Sequence, residues 1–231
     1  MKLSEIIYAF IPRHIKNKTV VKTFELLRKL QKLFRRNYST HIAGNEEAFA
    51  THLDEIKRCG GYIENQNSYR DMLFGKTTMQ YSGCEIFATY NAIYSLMDRH
   101  IMSLAQMIAE FEKDGMVLSG KFGTAPKAIR DFLEKHGFQT EFVTDETLFE
   151  DVAKRCKSLI LTMYNDRNDI RGEVHTIHIS KEKQQYTGHN VYCDGRVVGP
   201  CDSIKELLSR INGGKAKGIA LIGIDLIGKY M

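Results

Sequence analysis

The sequence has no tryptophan, no long apolar run, no closely spaced cysteine pair and no internal repeat or low-complexity tract. Each absence excludes something. Without an apolar run of about 20 residues, no bilayer-spanning helix is expected. Ile6 to Pro12 is too short for a secretory apolar core, and no charged start and small-residue cleavage site flank it. Five cysteines (Cys59, Cys84, Cys156, Cys193 and Cys201) form an odd, widely spaced set. That argues against a disulfide framework and for reduced thiols in a cytoplasm.

What is present is ordinary globular material. Of 231 residues, 43% are hydrophobic and 26% charged, enough for one sizeable core or two lobes sharing a cleft. The net charge of +5 is unevenly placed, with ten Lys/Arg against Glu5 and Glu25 in residues 1–36. The remainder is slightly acidic, so the basic character belongs to an N-terminal appendage. A basic appendage on a non-basic core, with no recognised module, argues against nucleic-acid binding.

The appendage reads as an amphipathic helix over residues 19–36. Thr19 can cap it, and Val20, Phe24, Leu27, Leu30 and Phe34 recur at three- and four-residue steps. Three roles suit it: a helix docked on the core with a solvated basic face, a contact with a membrane surface or anionic partner, or a regulatory segment over a cleft. A second helix is expected from Asn45 to Arg58, stopped by Gly60-Gly61. The domain division is therefore residues 1–61 as a basic helical extension and 62–231 as the main domain.

Ser82 and Glu85 have the spacing of a capping box, so a helix should begin at Ser82. Ile86, Phe87, Tyr90, Ile93, Tyr94 and Met97 continue it at helical spacing. Cys84 then lies in the first turn, where unpaired backbone amides and the positive dipole end favour thiolate over thiol. Gly83 beside it leaves room for a substrate. A small buried cysteine at a helix start is the plainer reading.

Further helices are expected over Ser103–Lys113, from Thr124 with Pro126 in the first turn, and from Thr144 or Asp145 to about Arg155. The glycine-rich stretch Ser119–Thr124 follows no strand and lacks a Gly-Lys-Ser/Thr ending, which excludes a phosphate loop. Phe138–Val143, Ser158–Tyr164, Val174–Ser180, Gln185–Tyr192 and Gly218–Ile227 read as strands. Asn165–Gly172 reads as a loop, Asp194-Gly195 as a tight turn, and Ser203 with Glu206 as another capping box. A helical first half and an antiparallel second half define an α+β protein with two lobes.

If Val174–Tyr192 forms a hairpin turning between Glu182 and Lys183, His175 pairs with Asn190 on one face. Asn190 would then fix the His175 tautomer and leave the other ring nitrogen as a base. A nucleophilic cysteine needs that arrangement. Two rivals use nearby residues. A slipped register makes His189 the base with Asp202 as its orienter. His178, His189, Cys193 and Cys201 could gather a zinc ion, although their spacing fits no structural zinc pattern.

Cys84 opening a helix, His175 opening a strand and Asn190 on the returning strand resemble the papain-like cysteine peptidases in order and context. Gly83-Cys84-Glu85-Ile86-Phe87-Ala88-Thr89-Tyr90-Asn91-Ala92 is similar to the bacterial branch near the double-glycine leader peptidases, and the likeness covers about residues 75–227. The resemblance implies a papain-like fold, a helical N-terminal lobe and an antiparallel β C-terminal lobe with the site in the cleft between them. It implies thiol attack by Cys84 on an amide carbonyl of a peptide or protein substrate, without metal or cofactor. His175 would act as base and then acid, with Asn190 orienting it. Gln80, four residues before Cys84 and closer than the family's spacing, would donate to the oxyanion; Tyr81 or a backbone amide are other donors. The cysteine and tryptophan that flank papain's nucleophile are absent. A catalytically silent peptide-binding module, and an acyltransferase or deamidase using the same three residues, are the alternatives.

Overall fold

A computed structural model describes residues 16–33, 41–167 and 174–227. Ile6–Pro12, residues 34–36 of the helix expected over 19–36 and most of the loop expected over 165–172 lie outside them.

The first helix, α1 (Asn17–Leu33), is docked on the rest of the chain. Val21 is buried against Tyr164, Ile219 and Ala220. The Asn17 side-chain amide donates to the carbonyls of Thr144 and Gly218. Arg28 is buried and ion-paired with Glu25, Asp114 and Asp131. The lysines occupy the outer face, as expected of a docked helix with a solvated basic side.

The helix expected over 45–58 is two pieces, α2 (Ile42–Ala50) and α3 (Leu53–Arg58). The break falls at Thr51, whose amide and hydroxyl both donate to the Ala48 carbonyl and tighten the turn there. Gly60 and Gly61 then end α3 with φ of 65° and 94°, a region that glycine enters without strain. Phe49 and Ile56 belong to the same core cluster as Ile86, Phe87 and Ile93.

A two-stranded ribbon, β1 (Leu73–Phe74) and β2 (Thr77–Thr78), leads into a short helix α4 (Met79–Ser82). The central helix α5 (Cys84–Met97) follows directly. It begins at Cys84 and not at Ser82: Gly83 closes α4 through its bond to Met79 and opens α5 through its carbonyl to Phe87. The Ser82–Glu85 capping box therefore does not form. A side chain on Gly83 would stand 2.6 Å from the Met79 carbonyl oxygen and 2.9 Å from the Phe87 ring, so the kink requires glycine there. Helix α6 (Leu104–Asp114) starts with a complete capping box between Ser103 and Gln106, and α7 (Pro126–Lys135) starts on its proline.

The second half contributes β3 (Phe138–Val143), α8 (Phe149–Arg155), β4 (Ser158–Tyr164), β5 (Val174–Glu182), β6 (Gln185–His189), β7 (Val198–Cys201), α9 (Ile204–Arg210) and β8 (Lys217–Leu226). The six-stranded sheet has the order β3-β8-β4-β5-β6-β7 and every pairing is antiparallel. Alternation along β4 and β8 sorts their side chains onto two cores. Ile160, Ile222 and Ile224 face the helical cluster, while Leu159, Leu161 and Leu221 face α8 and α9. The architecture is α+β, as the element pattern implied. Among the described residues, no helix is long and apolar enough to cross a membrane.

The hairpin register differs from the expected one. Glu182 pairs with Gln185 and His178 with His189, so the loop is Lys183-Gln184. Lys183 takes φ of 56° to close it, with no glycine to signal the turn. The pairing is displaced by two residues, which preserves the faces, and β6 stops at His189, so Asn190 lies just past its end.

Candidate functional site

A cleft of about 680 Å³ opens where the N-terminus of α5 meets the start of β5. Cys84, His175 and Gln80 all line it, joined by Gln66, Glu85 and Cys193. Three residues expected at the site from sequence thus share one cavity. Phe24 of α1 forms part of the wall, so the docked helix flanks the cleft.

Cys84 is the first residue of α5 and is buried. Its Sγ donates to Glu85 Oε2 at 3.2 Å. Burial pushes the thiol well above its ordinary value, and the Glu85 charge adds to that; the Thr176 backbone amide pulls the other way. The helix start alone therefore does not make a resting thiolate. Burial also pushes the Glu85 carboxyl up to about 7, against the opposing bonds from its own amide, the Cys84 thiol and the Thr124 amide. Gly123 covers this carboxyl so closely that a Cβ there would stand 2.7 Å from Oε2.

His175 is buried, with Nε2 2.7 Å from the backbone oxygen of Asn190. A carbonyl only accepts, so Nε2 carries the hydrogen at this contact and the lone pair of the neutral ring is on Nδ1. The expected partnership of His175 with Asn190 is present, but through the main chain and not the side chain. The Asn190 side chain instead pairs with Gln66: Nδ2 donates to Gln66 Oε1 at 3.0 Å, and Oδ1 accepts from the Gln66 amide at 3.2 Å. The early end of β6 explains the difference, because Asn190 leaves the strand in the left-handed region with φ of 56°, which asparagine tolerates better than most residues.

Cys193 is a second thiol at the site, with Sγ 3.8 Å from His175 Nε2. Gln80 accepts from Gln66 Nε2 at 2.9 Å through its backbone oxygen, which ties the segment before Cys84 to the Asn190 loop.

The rival readings meet different geometry. His189 is bound by Nδ1 to Glu64 Oε1 at 2.5 Å and by Nε2 to the Ser180 hydroxyl at 2.8 Å, and it does not line the cleft. Asp202 accepts from the Gln185 side chain, so His189 and Asp202 are not partners. His178 bonds Ser158 and stacks in series with His189 and Tyr62. Burial lowers the His178 ring well below its ordinary value, and the neighbouring His189 lowers it further, so it stays neutral. No group of three or more potential metal ligands comes together among the described residues, and the His178, His189, Cys193, Cys201 set is not assembled.

Glu64, Gln66, the place of Cys193 beside His175 and the role of Glu85 were not apparent from sequence. Glu64 and Gln66 lie in a polar, irregular stretch with no periodicity to mark them. Glu85 gave a signal, but of helix capping.

Compared with protein-family models, curated proteins and solved structures, the chain finds no match in any of the three.

Proposed function

We propose that the protein is a cysteine hydrolase of papain-like type that cleaves an amide bond in a peptide or protein. The observation that carries this reading is a thiol at the start of a buried helix sharing a cleft with an imidazole whose Nε2 is tied to a carbonyl. That tie orients the lone pair of Nδ1 as the base. Because Cys84 rests as a thiol, attack is general-base-assisted: the sulfur bonds to the substrate carbonyl carbon as its proton moves to His175. The oxyanion forms near the amides at the start of α5, where each donor is worth roughly 3 kcal/mol. Gln80, which lines the cleft, is the side-chain candidate for a further donor. His175 then returns the proton to the leaving amine, and water hydrolyses the thioester.

A second reading, a peptide-binding module without turnover, draws on the raised Cys84 thiol. Acyl transfer or deamidation would use the same residues with a different acceptor or amide. The test is mass spectrometry of a peptide library incubated with the protein and with its Cys84→Ala and His175→Ala variants. Hydrolysis predicts paired fragments formed by the wild type and by neither variant. A gain of about 1 Da at glutamine, or a new acyl conjugate, replaces hydrolysis by one of the alternatives. Peptide retained without any product leaves the binding module.

A further inference from the structure

The Asn190 carbonyl that holds the His175 ring belongs to a residue outside regular structure. What fixes its direction is a buried carboxylate from the other half of the chain. Glu64 is 5% exposed. Its Oε2 accepts from the Asn190 amide at 2.6 Å, and its Oε1 meets His189 Nδ1 at 2.5 Å. Its backbone oxygen accepts from the Gly195 amide at 3.1 Å. One residue therefore grips both ends of the segment from His189 to Gly195, which carries Cys193 and the cleft-lining Val191 and Tyr192.

We propose that Glu64 is a positioning residue for the His175 imidazole, acting through the peptide of Asn190. A buried carboxylate with a backbone amide on one oxygen and an imidazole on the other has a fixed orientation. The imidazole is itself fixed, by the Ser180 hydroxyl on its far nitrogen and by stacking at 4.1 Å between ring centroids on Tyr62. The anchored carboxylate holds Asn190 in the left-handed region, and that conformation presents its carbonyl to Nε2. His189 is thus not the base but a brace for the residue that aligns the base. The consequence for rate rests on the hydrolase reading; the geometry does not.

The direct readout is the His175 tautomer, by ¹⁵N NMR of the ring nitrogens in the full chain. Wild type is expected to show Nε2–H. Glu64→Gln retains the size but cannot accept on both sides. It is expected to yield a mixed tautomer population and, if the protein is a hydrolase, a kcat lower by about tenfold or more with KM little changed. Glu64→Asp keeps the charge but withdraws it by one carbon, and should mix the tautomers in the same direction; it serves if Glu64→Gln does not fold. A wild-type tautomer in a folded Glu64 variant overturns the proposal. A wild type with no turnover, but with the tautomer responding to Glu64, overturns the hydrolase reading and leaves the positioning role standing.

Discussion

Glu85→Gln separates the charge beside Cys84 from its shape. Glutamine fills the same space under Gly123 and keeps one acceptor oxygen, which can stay on the Cys84 thiol, while an NH2 group replaces the other oxygen. The charge is lost, and one of the two acceptors with it. At a separation of 3.2 Å, a unit charge in surroundings of effective dielectric about 20 is worth roughly 5 kcal/mol, and relaxation around the site reduces that. We expect about 2–3 kcal/mol at the sulfur, which is on the order of a hundredfold more thiolate at pH 8. Iodoacetamide labelling, quantified on the Cys84 peptide, should therefore be faster in the variant by roughly that factor above pH 7, where the wild-type carboxyl is ionised. A second readout is stability. The carboxyl ionises at 4.5 when unfolded and at about 7 when folded. Because the folded value is raised, its contribution is fully present below 4.5 and lost as pH rises through 7, a loss of about 3 kcal/mol. Denaturant unfolding of the wild type should show this loss between pH 5 and 8, and the variant should not. Unchanged or slower labelling in a cooperatively folded Glu85→Gln protein would refute the electrostatic account of Cys84.

Two other changes test neighbouring elements. Gly123→Ala adds a Cβ against the Glu85 carboxyl at a residue with φ of 61°; a loss of about 1–3 kcal/mol is expected in thermal unfolding, with no loss pointing to a loop that yields freely. Arg28→Ala leaves Glu25, Asp114 and Asp131 without their shared guanidinium. Two of the three carboxylates are substantially exposed, so about 1–3 kcal/mol is expected. Limited proteolysis should then cut within α1 first, and an unchanged cleavage pattern would show that Val21 and Asn17 hold the helix unaided.

The sequence makes some elements plain and others not. Phe138–Val143 and Ser158–Tyr164 are strands at the expected bounds, because short runs rich in apolar and β-branched residues leave little else to do. Ser82-x-x-Glu85 misleads, because two residues with capping chemistry say nothing of a preceding turn that ends on Gly83. The hairpin shows the limit most clearly. Lys183 closes a two-residue loop in a conformation lysine disfavours, and neither Lys183 nor Gln184 announces it. The face of His175 followed from period two alone, but the atom of Asn190 that meets it depended on where β6 stops. Glu64 was invisible because its role is to satisfy backbone amides distant in sequence, which leaves no local pattern.

The strand β8 lies between β3 and β4, which make no direct bonds to each other. Every residue that lines the cleft stands at or before Asn212, whereas β8 begins at Lys217. During synthesis, all the residues that line the cleft are therefore made before the strip that joins the two sides of the sheet. A chain halted just short of Lys217 would carry the whole cleft lining on an unclosed scaffold, its two halves waiting on a late, long-range pairing.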